Sequence, residues 1–199
     1  MIHGIAFTRK VEVDDVTVEK NASNQIQIKD DGVSQAKINF VPTVLLQKIT
    51  VADAATDTID FTDLDINTDG QYLLMLEIEA ATTTSLYCYI NDDTTNTNYY
   101  TQQQTSSAST VSASQVNFPY LGETTASKPG RVEAYITIGM GYPVVSWKTA
   151  RNTSAAPIFQ NGVVGKTASV ENITQLTIKG GSACFPVGAV ARLYKMGGL

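Results

Sequence analysis

The chain has 199 residues, enough for one β-sandwich domain with an appendage or at most two small domains, and its net charge is −5 with 17% charged and 43% hydrophobic residues. That acidic balance, with the basic residues scattered, argues against a nucleic-acid backbone as partner, because there is no basic excess to release counterions. Thr, Ser, Asn and Gln fill the space that charge leaves, a composition common in extracellular and particle-surface β proteins.

No apolar run reaches the roughly 18 residues that a membrane span requires, so no membrane insertion is expected. The opening MIHGIAFTRKVEVDD has no apolar h-region and places Arg9 and Lys10 after its apolar residues. It does not read as a signal peptide, and the chain is expected to be made and used from the cytosol of its producing cell.

Residues 1–45 read differently from the rest. Val11, Val13, Val16 and Val18 form a β-prone run broken by Asp14-Asp15, and Ile26 and Ile28 alternate in a second short run. Asp31-Gly32 marks a tight turn, and GVSQAKINF reads as a short helix or an irregular lead to Pro42. Too few apolar side chains occur here to close a core, so this segment is expected to attach the chain to its own main domain, to other copies or to a larger particle. Its five basic and six acidic residues select no partner by charge.

Residues 46–199 read as the sandwich domain. LLQKITV and TDTIDF are strand candidates, followed by an acidic turn over residues 63–70. In QYLLMLEIE, Tyr72, Leu74, Leu76 and Ile78 share one face at period two, opposite Leu73, Met75, Glu77 and Glu79. After a Thr-rich connection, Leu86, Cys88 and Ile90 alternate against Tyr87 and Tyr89, and the two strands read as the core pair of a sheet. The polar run after Asn91 suggests one short strand at Tyr99-Tyr100, with Thr105–Ser114 a loop. RVEAYITIG and VVSWKTA alternate again, RNTSAAPIFQNGVVG reads as a second long loop, and VENITQLTIKG and AVARLYKM close the chain. About nine or ten strands, without a convincing helix, indicate an all-β antiparallel sandwich of jelly-roll type.

Two local patterns carry possible chemistry. Asp65, Asn67 and Asp69, followed by Gly70, match the first half of a calcium loop. The bidentate acid of such a loop falls at Leu76, so an acid-rich turn is the plainer reading, and no other cofactor is called for. Asn91, Asp92 and Asp93, beside Tyr99 and Tyr100, suggest a tip loop that contacts a host receptor or glycan. Tyr87, Tyr89, Tyr120 and Trp147 are further candidates for stacking or subunit contacts. Cys88 and Cys184 read as unpaired, partly buried thiols, with a single bridge as the alternative. The sequons at Asn21, Asn152 and Asn172 read as chance matches. The single histidine, His3, lies outside the main domain and leaves it no histidine triad or multi-histidine metal site. No G-x-S-x-G or P-loop occurs. A pair of carboxylates in the glycosidase arrangement is not decided by sequence.

TIDFTDLDINTDGQYLLMLEI…LYCYINDDTTNTNYYTQ, closed by ITQLTIKGGSACFPVGAVARLYKM, resembles virion structural proteins of tailed bacterial and archaeal viruses. NQIQIKDDGVSQAKIN is similar to a leader found in phage fibre and tail proteins. The resemblance spans about three quarters of the chain and rests on strand patterns. It implies a jelly-roll-like domain, usually a homotrimer, on the head or tail surface of the virion. Receptor binding or capsid decoration is the implied task, with residues 1–45 joining other virion proteins and synthesis in the host cytoplasm. The chain is short for a complete tail fibre and shows no coiled-coil or triple-helical shaft. A non-enzymatic role is expected; a carbohydrate-binding module or glycan-degrading accessory protein is the alternative.

Overall fold

The computed structural model describes residues 18–20, 26–28, 43–107, 110–153 and 156–197. The chain divides into two compact units, Met1–Pro42 and Thr43–Leu199. In the first, β1 (Val18–Lys20) pairs antiparallel with β2 (Ile26–Ile28), Val18 in register with Ile28. The Val11–Val16 run, the Asp31-Gly32 turn and the GVSQAKINF lead lie outside the described residues.

The second unit is β almost throughout. In chain order come β3 (Thr43–Thr50), β4 (Thr58–Phe61), the single-turn helix α1 (Ile66–Asp69), β5 (Gln71–Glu79), β6 (Ser85–Ile90) and a 3-10 turn at Asn96–Asn98. β7 (Tyr99–Ser107), β8 (Thr110–Val116), β9 (Tyr120–Glu123) and β10 (Pro129–Gly139) follow. The last four are β11 (Tyr142–Asn152), β12 (Pro157–Lys166), β13 (Leu176–Lys179) and β14 (Val190–Met196).

Two antiparallel sheets pack face to face. The larger has the order β3-β14-β5-β10-β11-β12-β7-β8, the smaller β4-β13-β6-β9. With β7, β8, β11 and β12 set aside, two four-stranded sheets remain, β3-β14-β5-β10 against β4-β13-β6-β9, and the chain passes repeatedly between them. That is jelly-roll connectivity. The four strands set aside are insertions between β6 and β9 and between β10 and β13, and all four extend the same sheet.

Period-two patterning explains the core. Tyr72, Leu74, Leu76 and Ile78 point inward from β5 and are at most 5% exposed. Val132, Ala134 and Ile136 of β10 and Ala191 and Leu193 of β14 join them from the same sheet. Phe61, Leu86, Cys88, Ile90, Leu176 and Ile178 face them from the smaller one. Each large side chain so buried contributes about 1.5–3 kcal/mol.

Several sequence expectations are corrected here. β5 and β6 do not pair. β5 lies between β14 and β10, β6 between β13 and β9, and residues 80–84 cross from one sheet to the other. Each strand has a strongly apolar face, and stacking the two faces buries more apolar surface than lying side by side. Thr105–Ser114 is not a loop: its described residues belong to the β7–β8 hairpin, with Gln103 in register with Ser114. The expected loop over residues 151–165 is mostly β12, laddered between β11 and β7. The acidic turn contains α1. The described residues of the second unit therefore form twelve strands.

Candidate binding surface

The calcium-like segment is occupied by the protein's own groups. Asp65 caps α1, its carboxylate accepting from the Thr68 hydroxyl at 2.7 Å and the Asn172 amide at 3.0 Å. The Thr68 hydrogen bond is the main reason its carboxyl sits below the usual range. Asn67 donates to the Glu171 carbonyl at 3.0 Å. Asp69 accepts from the Tyr72 hydroxyl at 3.0 Å and lies 3.4 Å from Lys195 Nζ. The three side chains serve five different partners and share none, and among the described residues no three His, Cys, Asp or Glu gather as a metal site.

The expected tip loop is also braced from within. Asn91 and Asp92 both adopt left-handed backbone, φ 53° and 57°, which Asn and Asp tolerate better than most residues. Asn91 Oδ1 accepts from the backbone N–H of Thr174 at 2.8 Å, and its amide donates to the Asn172 carbonyl at 2.7 Å. Asp92 accepts from Gln175 Nε2 at 2.6 Å. Asp93 pairs with Lys166 and accepts from Asn98 Nδ2 at 2.9 Å and the Thr95 N–H at 3.1 Å. Burial alone would raise its carboxyl pKa, but the bonds from Lys166, Asn98 and Thr95 outweigh that and hold it at about 2.

The two tyrosines that follow part company. Tyr99 points inward and is 1% exposed, its hydroxyl accepting from the Ile90 N–H at 3.0 Å and donating to the Asp93 carbonyl at 2.9 Å. It offers no stacking face. Tyr120 and Trp147 are likewise core side chains, their rings edge-to-face at 5.6 Å, and Tyr89 is buried. Tyr87 is half-buried against Phe118 at 5.6 Å. Cys88 and Cys184 are free and buried.

Tyr100 lies on the other side of β7, 45% exposed on the outer face of the large sheet. Its ring covers Gly165: a Cβ there would stand 2.9 Å from the ring. Beside it runs a trough of about 830 Å³ across β10, β11, β12, β7 and β8. The ladder aligns Tyr135, Ser146, Val163, Gln102 and Gln115 in one cross-strand row. The next row aligns Glu133, Lys148, Asn161, Gln104 and Ala113. Tyr135 is 39% and Val163 46% exposed. Glu133 is the one carboxylate in the lining, held 2.9 Å from Lys148 Nζ, and that hydrogen bond lowers its pKa. A general acid needs the opposite shift.

Followed the other way, the first row continues from Tyr135 to Leu73, Tyr194 and Leu45. Leu45 is 48% exposed, and Leu73 and Tyr194 are half-buried. The outer face thus carries an apolar row over β3, β14 and β5, flanked by Lys48 and the Arg192–Glu77 ion pair, and is amide-rich over β12, β7 and β8.

Of the residues picked out in sequence, Tyr100 alone reaches this face. The rest of the surface was missed, although Tyr100, Gln102 and Gln104 already stand at period two in YYTQQQ. Compared with known proteins, the chain matches no family model and no curated protein.

Proposed function

We infer that this chain is a non-enzymatic structural protein of a virus surface, on head or tail, that attaches to a host receptor or decorates the capsid. The observation that supports the reading is the outer face of the large sheet, wide, uncovered by any described residue of the smaller sheet, with an apolar row over β3, β14 and β5 beside an amide-rich half. The row Leu45, Tyr194 and Leu73 is the contact through which copies associate, as the homotrimer that the family resemblance implies. Residues 1–45 join the chain to other virion proteins. The amide-rich half, repeated in each copy, is the attachment surface, and copy number multiplies a weak single contact.

Analytical ultracentrifugation and antibody labelling of purified particles test this. A trimer that Leu73→Lys converts to monomer, together with label on the particle surface, is the expected result. A monomer at every concentration and unlabelled particles would overturn it, and would favour a free-standing carbohydrate-binding module, the reading that the amide-rich trough otherwise favours.

A further inference from the structure

We propose that the trough on β10, β11, β12, β7 and β8 binds a neutral oligosaccharide. This rests on the reading of that half-face as an attachment surface and names its ligand class. The chemistry of the lining leads there. Gln102, Gln104, Gln115 and Asn161 all project outward, are exposed, and bond through their side chains to no other described residue. An amide presents a donor and an acceptor side by side, which is the pattern that two adjacent sugar hydroxyls complete. No Asp, Glu, Lys, Arg or His occurs from Thr94 to Gly122. In the lining Lys148 is paired with Glu133 at 2.9 Å, and Arg131, outside the lining, lies 3.8 Å from the same carboxylate. A sialylated, sulfated or phosphorylated ligand would find in the lining only a lysine already held by Glu133.

The apolar parts of the lining fit the same ligand. Val163 stands in the middle of the floor, with Tyr135 at the β10 end and Tyr100 to one side, a two-residue step along β7 from Gln102. Each offers a flat or low apolar surface to the C–H face of a pyranose while the amides take its hydroxyls. Tyr135 and Tyr100 are three strands and one two-residue step apart, about 16 Å. That is the reach of a short oligosaccharide rather than a monosaccharide. An extended peptide fits less well. Its own N–H and C=O groups would seek a free strand edge, whereas the backbone from β10 to β7 is spent on ladders and the open edge of β8 lies at the trough's margin, not across its floor.

The experiment is an NMR titration of the full chain, in whatever oligomer it forms, with neutral tetrasaccharides of glucose, galactose and N-acetylglucosamine and with 3′-sialyllactose. At least one neutral sugar is expected to shift the side-chain amides of Gln102, Gln104, Gln115 and Asn161. Gln104→Ala with Asn161→Ala should weaken that binding about tenfold or more, with an unchanged thermal melt. Tyr135→Ala should weaken it as well. Shifts confined to the Asn91–Asn98 loop, tighter binding of the sialylated sugar, or no shifts with any neutral sugar would each overturn the proposal. Labelled particles and a trimer alongside a sugar-blind trough would leave the attachment reading standing without it. Sugar binding by a monomer found on no particle would sustain the trough and overturn the attachment reading.

Discussion

Replacing Asp93 by Asn and Lys166 by Met, singly and together, separates what the buried ion pair contributes from what its loss leaves behind. Lys166 ends β12 with its side chain 5% exposed, its Nζ on Asp93 and 4.7 Å from the Tyr99 ring centroid. Asp93 is more open, 22% exposed, and keeps Asn98 and Thr95 as hydrogen-bond donors if the lysine is lost. The two single variants should therefore differ. Lys166→Met leaves a carboxylate with two donors and access to water, and should cost about 1–2 kcal/mol. Asp93→Asn strands an enclosed ammonium and should cost about 3 kcal/mol, the low end for breaking a buried pair. The double variant should then be more stable than Asp93→Asn alone.

The same pair fixes a pH dependence. The Asp93 carboxyl has a folded pKa of about 2 against 3.8 for the free group. Its contribution is present above about pH 4 and is lost as pH falls toward 2, and amounts to about 2 kcal/mol at most. In Lys166→Met the loss should begin at the same pH, set by the unfolded carboxyl, end at higher pH and be smaller. Urea denaturation at neutral pH and through the acid range measures all of this. Equal costs for the two single variants, or a double variant as unstable as the sum of both, would refute the assignment of Lys166 as the more enclosed partner.

Gly162→Ala should cost about 1–3 kcal/mol, because a Cβ there would stand 2.6 Å from the Gln102 carbonyl oxygen and 2.7 Å from the buried Trp147 ring. At Gly165 the nearest atoms to an added Cβ belong to the exposed Tyr100 phenol, the first at 2.9 Å. Gly165→Ala should cost less, and comparing the two melting temperatures checks the order. Burial pushes the Cys88 thiol up to about 12 and the Cys184 thiol up to about 11. A thiol reagent should label neither in the native protein and both after unfolding, and reductant should leave the melt unchanged. Calcium and chelator should give the same melting midpoint, since Asp65, Asn67 and Asp69 already serve Thr68, Asn172, Glu171, Tyr72 and Lys195. A rise with calcium would restore this turn as a metal site.

The inward face of β5 was legible because large apolar residues alternate with polar ones over its whole length. Its partner was not, since the same alternation serves equally for a neighbouring strand and for a strand in the facing sheet. β7, β8 and most of β12 were illegible for a different reason. β8 is exposed on nearly every residue, so neither face needs apolar side chains and no hydrophobic period marks the strand. Its order comes from backbone ladders, which leave no trace in composition. Tyr99 and Tyr100 show what parity alone decides: adjacent residues of a strand face opposite ways, so one of them had to leave the surface. The roles of Asn91 and Asp93 were hidden because their partners, Thr174 and Lys166, are far away in sequence.

Topology and composition share one cause in this chain. The insertions β7–β8 and β11–β12 lengthen one sheet without lengthening the other, so the larger sheet outruns its cover. β9 reaches part of the way under it, where the Thr149 hydroxyl donates to the Leu121 carbonyl at 2.6 Å and Gln160 Nε2 donates to the Tyr120 hydroxyl at 3.2 Å. Val164 and Tyr99 still point into the core from β12 and β7. The row Thr149, Gln160 and Thr105 is already polar, however, and the remainder of β7 and β8 is built largely from Gln, Thr and Ser. On the outer face the same strands have no core to match, so their side chains are free for contact with something other than the chain itself. The apolar row stops at Tyr135, on β10, one strand before the inserted ones begin. Association of copies and recognition of a ligand, on the reading proposed above, therefore occupy adjoining halves of one sheet. A change to Leu45 or Leu73 should alter the first without reaching the amides of the second.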